Sequence, residues 1–190
     1  RSTLFPYTTL FRSRDEIHMY PLSFGEYLSA FNGSELDAWL EYYTYGGLPQ
    51  ILLQDGDDKK ASFLKNLYQT VYLKDIYDRH KIEFPAEFEE LARVMASSIG
   101  APVNPNKLAN TFKSLKNIKD LTNKTIDTYI GYMDDAFRLE KSERYDIKGK
   151  KYIASLSKYY FQDLGLRNAI LSFRQISLDR KSGSAGMPRP

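Results

Sequence analysis

The sequence predicts a mostly α-helical fold, a helical linker region followed by a winged helix-turn-helix with a small β-hairpin wing. Three observations carry this expectation. From residue 21 to 137 apolar residues recur three or four apart, the spacing that lines one face of a helix. Between Pro102 and Phe137 two short periodic stretches are separated by an aperiodic connection, Lys116 to Leu121, and each opens on a capping residue, Asn104 and Thr122. Beyond Phe137 the period changes. Leu139 to Ile147 and Tyr152 to Leu156 flank Lys148-Gly149-Lys150, a hairpin turn in which glycine supplies the unusual backbone angles.

Composition narrows the classes. The 190 residues suffice for one large or two small domains, at roughly 150 residues each. There is no cysteine, which excludes a disulfide framework and thiolate metal sites and fits a reducing, cytoplasmic compartment. The two histidines, His18 and His80, are far apart and make no metal pair. No run of about 18 apolar residues is present, so no membrane-spanning helix is expected. Charge is unevenly distributed. Residues 14–100 carry 8 Lys/Arg against 15 Asp/Glu, a net of −7, whereas residues 101–158 carry 12 against 7, a net of +5. The two parts read as different units, and the basic one suits nucleic acid as well as it suits an acidic neighbour.

Taken in order, residues 1–13 fit neither a signal peptide nor a helix start. They resemble translated adapter sequence, so they are read as a non-native leader. Arg14 to Tyr20 alternates loosely and predicts a short strand. Ser23 and Glu26 form a capping box that opens a helix with Phe24, Tyr27, Leu28 and Phe31 on its buried side. Ser34 caps the next helix, Glu35 to Tyr45, whose apolar side is Leu36, Trp39, Leu40 and Tyr43, and Gly46-Gly47 ends it. A short helix follows over Gln50 to Gln54. Asp58 caps a long one to about His80, with Phe63, Leu64, Leu67, Val71, Tyr72 and Ile76 packed. The charged end of that helix, YLKDIYDRH, reads either as an ordinary solvated surface or as a contact surface for a neighbouring module.

Pro85 starts the first helix of the winged unit, with Phe88, Leu91, Val94, Met95 and Ile99 inward. Asn104 caps the second, with Leu108, Phe112 and Leu115 on one face. Thr122 caps the third, carrying Ile126, Tyr129, Ile130, Met133 and Phe137. Asp163 caps a last short helix with Leu166, Ile170 and Leu171, and Leu178 to Pro190 has the composition of a disordered or non-native tail. The expected divisions are a leader at 1–13, a linker region at 14–84, the winged helix at 85–157, the start of a truncated domain at 158–177 and the tail at 178–190.

The motifs of catalysis are missing. There is no phosphate loop of the GxxxxGK[ST] form, no GxSxG, no HExxH and no calcium loop. Asp134-Asp135 and Glu89-Glu90 are adjacent on helices and point about 100° apart, so neither pair converges on a metal. The acidic stretch Asp55, Asp57 and Asp58 lacks calcium spacing and reads as a solvated loop.

With the elements placed, PLSFGEYL, YGGLPQILL, LYQTVYLKDIYDRHKI, NKLANTFKSL, TIDTYIGYMDDAFRL, ERYDIKGKKY and KYYFQDLGLRNAIL resemble, in that order, one prokaryotic family. This is the AAA-type ATPase family that carries the C-terminal domain of unknown function 4143. The resemblance runs from Arg14 to about Phe173. It implies an internal piece, with a P-loop core before it and a nuclease-like domain beginning near Lys158. ATP and Mg are implied for the parent protein and no cofactor for this piece. Arg14 takes the place of the family's arginine finger, although Ser13 stands where the family has glycine.

The main reading is therefore a non-catalytic coupling or partner-recognition module of such an ATPase, and the missing domains of the parent or a separate protein are its partners. The alternative is a DNA-binding winged-helix domain. Duplex DNA would then be contacted by Thr122, Asn123, Lys124 and Thr125 at the start of the third helix, and by Lys141, Arg144, Lys148, Lys150 and Lys151 on the wing. A nuclease has too little support in Lys158 and Asp163 alone.

Overall fold

The computed structural model of the chain describes residues 19–116, 118, 120–137, 139–142 and 156–173. The elements are α1 (Phe24–Ala30), α2 (Glu35–Tyr45), a 3-10 turn (Pro49–Leu53), α3 (Asp57–Leu67), a π-helical turn (Tyr68–Leu73), α4 (Lys74–Arg79), α5 (Pro85–Ser97), β1 (Pro102–Val103), α6 (Pro105–Lys116), α7 (Asn123–Phe137), β2 (Leu139–Ser142), β3 (Ser157–Phe161) and α8 (Leu164–Ile170). The fold is mostly helical, with one small antiparallel sheet in the order β1-β3-β2. Pro102 pairs with Lys158 across β1 and β3, and Leu139 with Phe161 across β2 and β3.

Local capping chemistry starts the helices where the sequence places them. Ser23 and Glu26 form a reciprocal capping box. The Ser34 hydroxyl accepts from the Asp37 N–H at 3.2 Å, and Asn104 Oδ1 accepts from the Lys107 N–H at 3.1 Å. Asp58 is not the cap of α3. Gly56 is, at a φ of 87° that a side chain would strain, and Asp57 and Asp58 lie in the first turn, where the exposed N–H groups favour negative charge.

Several expected faces are rotated. On α2 the buried residues are Ala38, Thr44 and Tyr45, because α8 packs on that side, and the predicted apolar side faces outward. The stretch from Asp57 to Arg79 does run continuously, but its π-helical turn adds one residue to the cycle. Leu64 and Tyr68 are four apart, Leu73 follows after five, and Ile76 after three, so Leu73 takes the core position and Val71 is left exposed. On α6, Ala109 and Phe112 are buried while Leu115 faces solvent.

The strand expected over Arg14 to Tyr20 is absent at Met19 and Tyr20, and its remainder lies outside the described residues. The strand that pairs with β2 is Ser157–Phe161, with Phe161 opposite Leu139 and both turned into the core; of the expected return strand Tyr152 to Leu156 only Leu156 is among the described residues, just before β3. Lys158, the expected domain boundary, is inside that strand. The expected leader, hairpin turn and tail all lie outside the described residues.

The main core joins Leu73 and Ile76 to Phe88, Leu91 and Met95 of α5, Phe112 of α6, Ile130 and Met133 of α7, and Leu166 and Ile170 of α8. A second cluster unites Tyr45, Ile51, Leu64 and Ala169. A buried polar chain ties the first three helices together. The Tyr27 hydroxyl donates to Glu41 at 2.7 Å, and Lys60 Nζ is 2.6 Å from the same carboxylate.

Helix α8 connects the two clusters. Asp163 accepts from the Leu166 N–H at 2.7 Å, capping α8, and from the Gly47 N–H at 2.8 Å, holding the corner after α2. A Cβ at Gly46, whose φ is 80°, would strike the Asp163 carboxylate, and one at Gly165 would strike the Tyr45 carbonyl. Asn168 Nδ2 donates to the carbonyls of Tyr43 at 3.1 Å and Thr44 at 2.9 Å, and Arg167 Nε to that of Ala96 at 2.9 Å.

Asp163→Ala removes a cap worth about 1 kcal/mol and leaves the buried Gly47 N–H without its acceptor at about 1–3 kcal/mol, so urea denaturation should show a loss of roughly 2–4 kcal/mol. Burial pushes the Asp163 carboxyl above its ordinary value, against the lowering effect of its backbone donors. The folded chain then holds that proton more tightly than the unfolded one. Stability from this group is fully present below the ordinary carboxyl pKa and declines as pH rises through the raised value. Asp163→Asn should lack that decline when denaturation curves are compared across acidic pH.

Candidate nucleic-acid interface

Four of the predicted contact residues, Thr122, Asn123, Lys124 and Thr125, lie together at the start of α7. Its underside is committed to the core through Ile126, Tyr129, Ile130 and Met133, all buried, as is Leu121 just before it. Tyr129 meets the Phe88 ring edge-on at 5.3 Å, and its hydroxyl accepts from the Phe84 N–H at 3.0 Å. His80 stacks on Tyr132 with ring centroids 3.7 Å apart, bracing α4 against the same helix. This packing fixes α7 in rotation, so Thr122, Asn123 and Lys124 are exposed and Thr125 is half-buried. Thr122 Oγ1 accepts from the Thr125 N–H at 3.2 Å, and the two hydroxyls are 3.0 Å apart. Thr122 and Thr125 are thus engaged in the cap, while Asn123 and Lys124 extend from it.

The outward face changes sign along its length. Asp127 follows Lys124 by one turn, and Asp134 and Asp135 lie near the far end, all exposed. Burial pushes the Asp134 carboxyl up, Asp135 adds to the rise, and Lys141 opposes it. Lys141 is exposed on β2, opposite Tyr159 of β3, and its charge acts on this far end of α7. From Lys124 to Asp134 the helix rises roughly 15 Å, so the structure sets Lys141 apart from the first-turn group. Arg144, Lys148, Lys150, Lys151 and Arg14 lie outside the described residues.

Other basic side chains divide in the same way. Lys107 on α6 is exposed, whereas Lys116 is drawn to Glu87 at 3.6 Å and to Glu90, and those carboxylates hold its pKa up. The Lys-Asp-Arg end of α4 contains an i, i+4 pair between Asp75 and Arg79, with Nε donating to Oδ1 at 2.8 Å. Its packing onto α7 runs through ring stacking and the buried Ile76.

Two cavities lie outside the sequence reading, one walled by the local stretch 94–111 and the other by segments distant in sequence. One, of about 210 Å³, lies between α5, β1 and the start of α6, beside Ser98, Asn104 and Lys107. The other, of about 510 Å³, is lined by Tyr20, Tyr72, Asp75, Arg79, Asp135 and Gln162 among others, and Gln162 Oε1 is buried with no hydrogen-bond partner. Among the described residues no group of three or more His, Cys, Asp or Glu could hold a metal ion, and no helix is long and apolar enough to cross a membrane.

The fold defines a helical protein with a small antiparallel sheet. The chain belongs to the family described as Domain of unknown function (DUF8612), which matches residues 36–177. It is 33% identical over 157 residues to an uncharacterized protein of Haemophilus influenzae, covering 80% of this chain and 38% of the relative. It is 29% identical over 178 residues to the uncharacterized protein MJ1544 of Methanocaldococcus jannaschii, covering 87% of this chain and 39% of that relative. The chain thus spans about two fifths of the length of these curated relatives. No solved structure matches it.

The family match corrects the resemblance read from motif order. The chain falls in DUF8612 and not among the AAA-type ATPases with domain 4143, and its matched relatives carry no ATPase description. The reading as a coupling or partner-recognition module of such an ATPase is overturned. ATP and Mg for a parent protein, and the arginine-finger role of Arg14, rest on that resemblance alone and lose their ground with it.

The capping geometry separates two neighbouring positions. Thr122→Ala should cost about 1 kcal/mol in urea denaturation by removing the α7 cap. Lys124→Ala, at an exposed position, should stay within about 0.5 kcal/mol of the parent chain.

Proposed function

We propose that residues 85–161 form a winged helix-turn-helix that binds duplex DNA, with α7 as the recognition helix. The element order supports it. Helix, short strand, two helices and two further strands follow one another, and the sheet order β1-β3-β2 brings the strand before α6 beside the strand after the wing. The observation that carries the reading is the polar first turn of α7, which stands clear of a fully packed underside.

In this reading the start of α7 enters the major groove. The N–H groups of its first turn and the Lys124 ammonium attract phosphate, and the Asn123 amide suits the paired donor and acceptor of adenine. Lys141, together with Arg144, Lys148, Lys150 and Lys151, reaches backbone phosphates along the wing. Asp127, exposed beside this group, repels phosphate and accepts from a cytosine amino group, so it would select sequence at the cost of general affinity.

Fluorescence anisotropy with a mixed-sequence duplex of about 20 base pairs, at salt between about 50 and 200 mM, tests the proposal. Log affinity should fall linearly with log salt, and Lys124→Ala should weaken binding and reduce the slope by about 1. Binding that is negligible at low salt, or a Lys124→Ala variant with unchanged affinity and slope, would sink it.

A further inference from the structure

The outward face of α2 is apolar and largely exposed among the described residues. Leu36, Trp39, Leu40 and Tyr43 recur at i, i+3, i+4 and i+7, the spacing of one continuous stripe, and are 65%, 47%, 36% and 47% exposed. The helix's other side is covered by α8, and α1 packs along its edge, where Phe24 meets Trp39 and Tyr42. Trp39 is already held in place, edge-on to Phe24 at 5.1 Å and stacked near Tyr42 at 6.4 Å. A large aromatic side chain that is ordered before binding loses little entropy on contact, which is the property of an interface anchor.

The charge around the stripe says what covers it. Helix α2 carries Glu35, Asp37 and Glu41 and no Lys or Arg. Glu41 is occupied by Lys60 and Tyr27, which leaves Glu35 and Asp37 exposed at the rim. A second copy fits poorly. Parallel pairing opposes these acids to themselves, and antiparallel pairing sets them against the carbonyl end of the other α2, where negative charge is disfavoured. The stripe is one helix wide and roughly 16 Å long, the footprint of about three helical turns.

We propose that this face docks a basic amphipathic helix of a protein partner, with apolar residues at i, i+3, i+4 and i+7 laid along Leu36, Trp39, Leu40 and Tyr43, and with Lys or Arg on its flank facing Glu35 and Asp37. This is recognition of a helix by an apolar helical surface, with the charged rim setting polarity and partner choice. It does not depend on DNA binding by α7, which lies in a different part of the chain.

Trp39 is the sole tryptophan, so its emission reports on this face alone. The probe is a synthetic amphipathic Leu/Lys helix of about three to four turns, with a Leu/Glu peptide of identical pattern as its counterpart. Titrating the full 190-residue chain with the Leu/Lys peptide should blue-shift Trp39 saturably and protect it from acrylamide, and the Leu/Glu peptide should do neither. The double variant Leu36→Asp/Leu40→Asp separates docking from bulk charge attraction. It makes the surface more acidic, so mere attraction would leave binding equal or tighter, whereas docking on the stripe predicts at least a tenfold loss with an unchanged circular dichroism spectrum. An unshifted Trp39, equal response to both peptides, or undiminished binding by the variant would overturn the proposal. So would a Trp39 already shielded from acrylamide in the free chain, or a concentration-dependent dimer that buries it.

Discussion

The buried carboxylate of Asp163 is the point on which the arrangement of helices depends. One oxygen caps α8 and the other holds the Gly47 N–H, a residue 116 positions away in sequence. A single side chain thereby sets the direction in which α8 leaves the sheet and the angle at which the chain turns after α2. Asn168 and Arg167 then satisfy carbonyls at the ends of α2 and α5. Carbonyls at a helix end have no intrahelical donor, and burying them without one is costly, so α8 supplies the groups that allow those ends to meet. Remove this junction and the cluster around Tyr45, Ile51 and Leu64 loses its link to the main core.

The same junction explains the unusual faces of two helices. With α8 on one side of α2, the residues able to pack closely are the small Ala38 and the chain near Tyr45, not the larger Leu36 and Trp39. Between α3 and α4 the helical cycle is lengthened by a π-helical turn, which brings both Tyr68 and Leu73 inward. An uninterrupted α-helix would have carried Val71 toward that side instead. Such turns cost hydrogen-bond quality and persist where packing outweighs the loss.

Helix α7 combines two demands on a single cylinder. Its packed side closes the core against α5, and the opposite side is exposed among the described residues. Among the described residues, Lys124 puts positive charge in its first turn and Lys141 on β2, while Asp127, Asp134 and Asp135 place negative charge along its middle and end. Electrostatic attraction at such a surface is directional, because phosphate is drawn to the helix start and turned away from its length. The stretch before α5 carries the opposite sign, so the proposed nucleic-acid surface and the proposed basic partner would lie on separate parts of the chain.

What the sequence by itself determined is the set of local decisions. Ser23 with Glu26, Ser34, Asn104, Thr122 and Asp163 each act on an N–H three residues onward, so their helix starts are legible without any fold. The exposure of Thr122 to Lys124 follows from the apolar period of α7 and was legible for the same reason. Tertiary structure decided everything that depends on partners far along the chain. It chose which of two apolar sides of α2 is covered, left Leu115 in solvent, paired Phe161 with Leu139, and gave Asp163 its second hydrogen bond. An apolar side chain records that it can be buried but not against what. Motif order did not assign the family, which the match over residues 36–177 decided. The contacts that discriminate are long-range ones, set by the simultaneous packing of α2, α5, α7 and α8.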